Sequence, residues 1–327
     1  MKPLAVDRIL ILGGSGFVGN SLCARLVDRN GGGGGRITVP SRRPQRAKHL
    51  MPLPTVQLRQ ADLGDERQLR ALVAGHDAVI NLVAILHGNE RQFEAVHVDL
   101  PRRLAAACTA EGVRRVIHVS ALGVSDDAPS AYLRSKAKGE EVLRSAGLQL
   151  TLLRPSVMFG ANDRFINLFA SMQRFAPVVP LAGHDARMQP VWVEDIASAL
   201  VACLDQPGTS GQTIECAGPT VFTLGELVAM AGRWAGHQRP VLPLPDSLGR
   251  MQAWVMEHLP GTPLLSRDNL LSLQVPNIAT GTLPGLESLG IVATDIRSVM
   301  PDVLSGRHGP ARLDGLRAPA REYGRRG

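Results

Sequence analysis

Tyr132 and Lys136 are the two residues whose types and spacing are best suited to proton transfer. They are four positions apart in the stretch YLRSK, so in a helix they share one face and the ammonium lies close to the phenol. Free tyrosine has a pKa of about 10. A neighbouring cation favours the phenolate, which makes such a tyrosine a general acid or base at neutral pH. A structural tyrosine on a surface helix is the alternative interpretation.

A glycine-rich stretch, GGSGFVG at 13–19, lies between an apolar run and a segment with helical spacing. This order of strand, turn and helix is the context in which such glycines bind a dinucleotide. Glycine lets the backbone turn tightly and approach a pyrophosphate, and a helix N-terminus offers free N–H groups and partial positive charge. A tight turn without a ligand is the alternative. The residues predicted to bind the dinucleotide here are Gly13, Ser15, Gly16, Phe17, Val18 and Gly19.

The end of the second predicted strand indicates which dinucleotide is preferred. A site selective for NAD places an Asp or Glu there to bond the ribose hydroxyls. In this chain the strand ends in Ser41, Arg42 and Arg43, without a carboxylate. A guanidinium pairs with a phosphate through two hydrogen bonds and stacks on adenine. We therefore expect NADP(H), with NAD(H) as the less favoured cofactor; a solvated turn is the alternative.

Strand and helix patterns alternate through the first half of the chain and position these motifs. The apolar run at 8–13 is typical of a strand buried on both faces. The predicted elements are strand 8–13, helix 17–29, strand 36–40, strand 56–59, helix 65–74, strand 78–83, helix 93–111, strand 115–120, helix 132–146 and strand 150–153. This βαβαβ winding predicts an α/β fold with a Rossmann doubly wound parallel sheet.

Beyond Pro155 the pattern loosens, which predicts a second, smaller α/β lobe. A helix at 195–204 and a strand at 212–216 are expected to return to the main sheet, and helices at 224–234 and 247–258 to belong to the smaller lobe. The predicted NAD(P)-binding domain is 1–160 with about 186–218. The predicted substrate or partner lobe is about 161–185 with 219–302. Residues 303–327 are predicted to form a disordered basic tail, and the five glycines at 31–35 a flexible connector.

Composition excludes several classes of function. Hydrophobic residues make up 44% and charged residues 20%, as in an ordinary globular protein. Aromatic residues are scarce at 4%, and much of the net charge of +7 lies in the tail, so no nucleic-acid partner is expected. The four cysteines are scattered and the nine histidines lack ligand spacing, so no metal site is expected.

The sequence also predicts where the protein resides. No apolar run reaches the roughly 18–20 residues that span a bilayer, and the first predicted strand starts at Arg8, so no signal or transit peptide is expected. A cytoplasmic protein is predicted. Five arginines near the C-terminus and one amphipathic face are candidates for peripheral contact with the inner membrane or a large partner. That face comprises Leu248, Met251, Trp254, Val255 and Leu259; packing against the core of the smaller lobe is the favoured interpretation.

The chain resembles the extended short-chain dehydrogenase/reductase superfamily, which includes NAD-dependent epimerases and dehydratases, over nearly its whole length. The matching motifs are the three spaced glycines, Asp62-Leu63 after the third strand, Val83-Ala84 after the fourth, the tyrosine–lysine pair, LRPSVMFG at 153–160 and VWVEDIA at 191–197. The resemblance implies that Asp62 meets the adenine, that Ala84 lines the cofactor and that the segment after Pro155 covers the nicotinamide. The cofactor contacts that it implies are Asp62, Leu63, Val83, Ala84, Ser120, Tyr132, Lys136, Pro155, Ser156 and Val157.

A narrower resemblance is carried by HVSALG at 118–123, YLRSKAKGE at 132–140, RPSVMFG at 154–160 and DRF at 163–165. These stretches resemble the nucleotide-binding accessory subunit of respiratory complex I and its bacterial relatives. That family holds NADPH structurally, and one relative is linked to ubiquinone synthesis. The resemblance implies a respiratory-complex or quinone-biosynthesis partner.

One departure from the superfamily bears on catalysis. Active members follow the fifth strand with a Ser or Thr that bonds the substrate carbonyl; if Ser120 aligns with the first residue of that pair, Ala121 stands at the catalytic position. Loss of such a donor costs about 2–4 kcal/mol of barrier, by analogy with oxyanion-hole deletions. Two functions remain open: a cofactor-holding accessory or assembly factor, and an active NADPH-dependent oxidoreductase or epimerase using Tyr132 and Lys136, with Ser120 as a further candidate.

Overall fold

The computed structural model describes residues 6–29, 35–258 and 265–305. The predicted disordered tail at 303–327 begins too early, because the helix Ile296–Leu304 includes its first two residues. The rest of that tail from residue 306 onward, most of the five-glycine connector and Leu259 lie outside the described residues. Among the described residues, no helix is both long and apolar enough to cross a membrane.

Thirteen short strands are present in the described part of the chain. They are β1 (Arg8–Leu12), β2 (Arg36–Ser41), β3 (Val56–Gln60), β4 (Ala78–Asn81), β5 (Arg115–Val119), β6 (Gln149–Pro155), β7 (Met158–Phe159), β8 (Val179–Leu181), β9 (Arg187–Met188), β10 (Val191–Trp192), β11 (Thr213–Cys216), β12 (Phe222–Thr223) and β13 (Val241–Pro243).

Within the same described residues, eleven α-helices connect and cover these strands. They are α1 (Phe17–Asp28), α2 (Glu66–Val73), α3 (Glu90–Glu94), α4 (Leu100–Glu111), α5 (Ala131–Arg144), α6 (Ile166–Phe175), α7 (Val193–Asp205), α8 (Leu224–Trp234), α9 (Asp246–His258), α10 (Arg267–Ser272) and α11 (Ile296–Leu304). Short 3-10 turns lie at Pro44–Leu50, Pro207–Thr209 and Leu286–Leu289.

The main sheet has seven parallel strands in the order β11-β6-β5-β4-β1-β2-β3. The predicted α/β fold with a Rossmann doubly wound sheet is confirmed. Helices α1 and α7 bury one face of the sheet, and α2, α4 and α5 bury the other. All five residues of β5 are buried, which is why the central strands read as continuous apolar runs. The carboxyl ends of all these strands meet at one edge of the sheet.

The second region of packing contains α6, α8 and α11 with the short strands β8, β9 and β12. Its helices are amphipathic and share one apolar cluster that includes Leu227, Val228 and Met300. The limits proposed for the two domains stay a prediction.

The expected packing of the Leu248 face was wrong. Helix α9 turns Gly249 and Ala253 inward, and both are buried. A methyl group on Gly249 would come within 2.8 Å of the Ala182 side chain, so the helix approaches its neighbour through its smallest residues. The larger side chains are therefore left outside, with Met251 59% and Trp254 51% exposed.

The predicted helix over 93–111 is interrupted. It starts earlier, at α3, and residues Ala95–Asp99 form one π-helical turn before α4 begins. Such a turn marks a place where the regular helix ladder gives way, and these turns are frequent at functional sites. In this chain the π-helical turn contains His97, which is buried.

Candidate functional site

The glycines of the turn between β1 and α1 allow segments of the backbone to approach each other closely. Gly13 has a φ of +80°, and an added Cβ would lie 3.1 Å from the Leu82 carbonyl carbon. An added Cβ on Gly19 would overlap the backbone of Gly14, so α1 can approach the end of β1 only with glycine there. Gly16 is the N-cap of α1 and contributes no side-chain cap. The first N–H groups of α1 are therefore available to an anion.

The other residues expected at the adenosine end lie at the ends of β2 and β3. Ser41 closes β2, and its hydroxyl accepts a 3.2 Å hydrogen bond from the Arg43 N–H. Arg42 and Arg43 are both exposed. Asp62 follows β3 and is exposed, and its carboxylate accepts the Gly64 N–H at 2.9 Å. Leu63 is half-buried beside it.

The residues expected near the nicotinamide follow β4, β5 and β6, which are neighbours in the sheet. Val83 donates its N–H to the Asn81 side chain, and Ala84 is exposed. The Pro155 carbonyl accepts the Leu122 N–H at 3.0 Å, which ties the turn after β5 to the turn after β6. The N–H of Val157 and the hydroxyl of Ser156 are both bonded to the Asn277 side chain, at 2.8 and 2.6 Å.

Helix α5 presents Tyr132 and Lys136 on one face. The Lys136 ammonium lies 5.8 Å from the centre of the Tyr132 ring. It is buried and donates to the carbonyls of Val119 and Ser120, each at 3.2 Å. Two of its three donors are thus used to tie α5 to the end of β5. Burial lowers the pKa of Lys136 to about 8.

The environment of Tyr132 disfavours the phenolate. Burial raises the pKa of Tyr132, and the negative charge of Asp268 raises it further. This direction is opposite to the effect expected from Lys136 alone. The ring lies edge-on to His97 and to Phe93, with centroids 5.5 and 6.0 Å away.

His97 lies edge-on to the Tyr132 ring and connects the loop after β4 to helix α5 through hydrogen bonds. The Ile85 N–H donates to its Nε2 at 3.2 Å, so the proton must be on Nδ1, which donates to the Ser135 hydroxyl at 2.8 Å. Ser135 in turn donates to the Tyr132 carbonyl. The π-helical turn therefore links the loop after β4 to helix α5. Burial first, and then the charge of Lys136, lower the pKa of His97 to about 3.

The residues that follow β5 lie near a buried ion pair between Glu140 and Arg154. Glu140 is fully buried. Its carboxylate accepts two hydrogen bonds from the Arg154 guanidinium, at 2.9 and 2.6 Å, and a further one from Arg144. Burial raises the pKa of Glu140, but these arginines outweigh it, so the pKa lies below its ordinary value. Ser120 is buried near this carboxylate. Ala121 follows it, also buried, and has no hydroxyl to offer a substrate.

Comparison with known proteins agrees with this geometry. A family model described as NAD(P)H-binding matches residues 13–207, more than half of the chain. The chain belongs to the NAD(P)H-binding family. The glycine turn and helices α1, α5 and α7 lie within the matched residues.

Two relatives and one solved structure show what the chain is similar to. The chain is 31% identical over 308 residues to NADH dehydrogenase [ubiquinone] 1 alpha subcomplex subunit 9, mitochondrial, of Mus musculus, covering 90% of this chain and 78% of that protein. It is 28% identical over 240 residues to the ceramide reductase of Caulobacter vibrioides, covering 73% and 74%. The predicted resemblance to complex I accessory subunits is confirmed. The NADPH-dependent quinone oxidoreductase QOR2 from Escherichia coli, complexed with NADPH, shares the fold at a TM-score of 0.69 and 20% identity, covering 91% and 98%.

Several residues at this family site were not found from the sequence. His97, Asn81, Asp268 and Asn277 follow no fixed spacing from the glycine turn or from Tyr132. The Asn81 side chain is hydrogen-bonded to His118 at 3.1 Å, and burial, as the largest cause, lowers the pKa of His118 to about 3. One signal in the sequence could have pointed to Asn81: it is a polar residue at the end of a strand that is otherwise entirely apolar.

The buried His97 predicts acid sensitivity of the fold. Its pKa is about 3 in the folded protein against an ordinary 6.5, so below pH 6.5 the unfolded chain binds a proton that the folded chain does not. Its contribution is present above pH 6.5 and is lost as the pH falls toward 3. Between pH 7 and 5 we expect a loss of about 2 kcal/mol of unfolding free energy from this group.

Urea unfolding at both pH values measures this loss. The decrease from pH 7 to 5 should be about 2 kcal/mol smaller in His97→Asn than in the parent. The exposed His49→Asn should leave the decrease unchanged. Equal decreases in the parent and in His97→Asn would contradict the assignment of a neutral, buried imidazole.

Proposed function

We propose that this chain is an NADP(H)-binding protein of the short-chain dehydrogenase/reductase type that holds its cofactor. In this proposal it acts as an accessory or assembly factor linked to respiratory complex I or to ubiquinone metabolism. The observation that carries the proposal is the state of Tyr132. Burial and the Asp268 carboxylate raise the pKa of Tyr132 above its ordinary value, which leaves almost no phenolate to act as a base at neutral pH and makes the phenol a weaker proton donor.

The residues present fit such a cofactor. The glycines of the turn let α1 pack on the end of β1 where a Cβ would collide with the protein's own backbone, and the uncapped start of α1 favours the pyrophosphate. Arg42 and Arg43 would hold the 2′-phosphate. Lys136, fixed by two carbonyls, keeps one donor for the nicotinamide ribose. The mitochondrial relative is named as a subunit of NADH dehydrogenase, which supports a partner of that kind.

A retention experiment tests the holding role. The purified protein is loaded with NADPH, passed through gel filtration and assayed for bound nucleotide and for oxidation by ubiquinone-1 and small aldehydes. We expect about one NADPH per chain after filtration and no consumption above that of free NADPH. Rapid loss of the nucleotide, together with turnover that disappears in Tyr132→Phe, would overturn the holding role.

An active oxidoreductase or epimerase is the second candidate. The observation that favours it is the tyrosine–lysine pair, which lies on one face of α5 with the lysine tied to the end of β5. When bound, a nicotinamide supplies hydride chemistry in this superfamily. Tyr132 would then exchange the proton, and Ser120 would be the nearest hydroxyl after β5. This candidate predicts that Tyr132→Phe abolishes consumption of NADPH while leaving its affinity nearly unchanged.

The arginines after β2 give a direct test of cofactor preference. Replacing Arg42 and Arg43 together by alanine should weaken NADPH about 10- to 100-fold, because a 2′-phosphate loses its charged partners. NADH, which lacks that phosphate, should change by less than about threefold. Isothermal titration of both nucleotides measures the difference.

Arg46→Ala is the matched control for this pair. Arg46 is exposed like Arg42 and Arg43, but it lies in the following 3-10 turn. It should leave both affinities unchanged. If the double variant weakens NADPH and NADH equally, the phosphate role of Arg42 and Arg43 is wrong.

We also propose that the exposed face of α9 makes the contact with the complex or with the inner membrane. Leu248, Met251, Trp254 and Val255 lie outside the core on one side of the helix. Changing Leu248, Met251 and Trp254 to serine should abolish binding of the protein to liposomes in which about one third of the lipid is anionic, or to membranes that contain complex I. Unchanged binding to both would contradict this surface.

A further inference from the structure

One short segment of the chain crosses the nicotinamide end of the site. We call residues 268–277 the strap. Asp268 accepts hydrogen bonds from the N–H groups of Ala131 and Tyr132, at 2.7 and 3.1 Å. Asn269 donates to the Leu86 carbonyl at 3.1 Å. At the far end, Asn277 accepts from Ser156 and Val157.

The strap thereby joins three separate parts of the predicted cofactor site. It bonds the start of α5, the loop after β4 and the turn after β6. In the middle, Val275 packs so closely on Gly123, after β5, that an added methyl group there would lie 2.9 Å from it. The Ser156 and Val157 groups that the sequence assigns to the cofactor are thus held by the strap.

Asp268 is the only charged side chain in these strap contacts within the described residues. Helix α5 has its own N-cap, since the Ser130 hydroxyl accepts the Leu133 N–H. The carboxylate of Asp268 accepts from the first two N–H donors of the helix, where the helix dipole also favours a negative charge. This charge also raises the pKa of the Tyr132 phenol.

We propose that Asp268 is a positioning residue that closes the strap over the nicotinamide end and places a negative charge at the start of α5 that opposes ionisation of Tyr132. With the strap closed, a bound cofactor leaves slowly and the Asp268 charge disfavours the phenolate. The part on cofactor release rests on the proposed holding function; the part on Tyr132 does not.

Three charged or titratable groups face Tyr132 from the elements packed against it. Lys136 comes from its own helix, His97 from the π-helical turn and Asp268 from α10. His97 stays neutral down to a pH of about 3 because of burial. Burial lowers the pKa of Lys136 to about 8, so its charge is lost before Tyr132 titrates. Above pH 8, Asp268 is therefore the one charge in this set that acts on the phenol.

The tyrosine content allows Tyr132 to be observed alone. The chain has two tyrosines, Tyr132 and Tyr323, so Tyr323→Phe leaves a single reporter. We would follow its ¹³Cζ resonance against pH in the full chain carrying Tyr323→Phe. Asp268→Asn should lower the midpoint by about one unit, a tenfold change in the acid dissociation constant. Asp268→Glu, which keeps the charge, should leave it within about 0.3 units.

Asp65→Asn is the matched control. Asp65 also caps a helix by accepting two backbone N–H groups, of Arg67 and Gln68, but it stands at the start of α2. Its replacement should not change the Tyr132 midpoint. A shift in Asp268→Asn below 0.3 units, or an equal shift in Asp65→Asn, would overturn the role of the Asp268 charge.

Cofactor release is measured separately, by chasing bound NADPH with excess NADP⁺ and following its fluorescence. Asp268→Asn and Asn277→Ala should each speed release about tenfold, whereas Asn277→Ala leaves the Tyr132 midpoint unchanged because it removes no charge. Unchanged release in both variants would overturn the closure. If the parent retains no NADPH, the holding function fails, while the tyrosine titration still decides the role of the charge.

Discussion

Replacing Gly19 by alanine is expected to weaken NADPH binding roughly 100-fold or more. The third glycine of the turn lets α1 pack directly on the end of β1. An added Cβ would collide with the Gly14 backbone, which cannot move aside as a flexible side chain would. The N–H groups at the start of α1 would then be displaced from the pyrophosphate. Isothermal titration, together with circular dichroism to establish that the variant is folded, measures the effect.

Gly208→Ala is the matched control for this substitution. Gly208 lies in a surface turn, and an added Cβ there would meet no atom within 4 Å. Its replacement should leave the NADPH affinity and the unfolding free energy unchanged. If folded Gly19→Ala binds NADPH within about threefold of the parent, the dinucleotide does not lie over this turn.

Replacing Glu140 by glutamine should destabilise the protein by about 3–5 kcal/mol. Glu140 is fully buried and holds both nitrogens of the Arg154 fork. Glutamine keeps the shape but removes the charge, which leaves the half-buried Arg154 without its partner. The same carboxylate is the counter-charge nearest to buried Lys136. Urea unfolding at pH 7 measures the loss.

The neighbouring Glu141→Gln separates this effect from a general loss of charge on α5. Glu141 is 69% exposed and lies 3.9 Å from Arg144, and exposed pairs of this kind contribute little. We expect a change below about 0.5 kcal/mol. Similar losses in the two variants would mean that burial of the Glu140–Arg154 pair is not what stabilises the fold.

The fold, the glycine turn and the shared face of Tyr132 and Lys136 were accessible from local sequence. The strand before Gly13 is apolar throughout because it is buried on both faces, and the glycines stand where the backbone must turn. Tyr132 and Lys136 share a face because helical spacing alone places them there. In each case the signal extends over a few residues, so no long-range contact was needed to read it.

The outcome was different where distant segments meet. Amphipathic spacing predicted that the Leu248 face packs inward, but the small residues Gly249 and Ala253 give the closer approach and were buried instead. A helical pattern predicted one helix over 93–111, and the π-helical turn at His97 was not visible in it. Packing against a neighbour decides both features, and the sequence pattern does not record which neighbour is present.

The sequence by itself determined a parallel α/β sheet, a glycine turn shaped for a dinucleotide and a tyrosine–lysine pair on one helix. The tertiary structure alone decided which charged and buried groups surround the pair. Asp268 lies 136 residues from Tyr132 along the chain, yet its carboxylate binds the Tyr132 N–H. Buried groups take their charge state from such neighbours and from the loss of water. No spacing rule within the motif could therefore reveal that burial and Asp268 raise the pKa of this phenol.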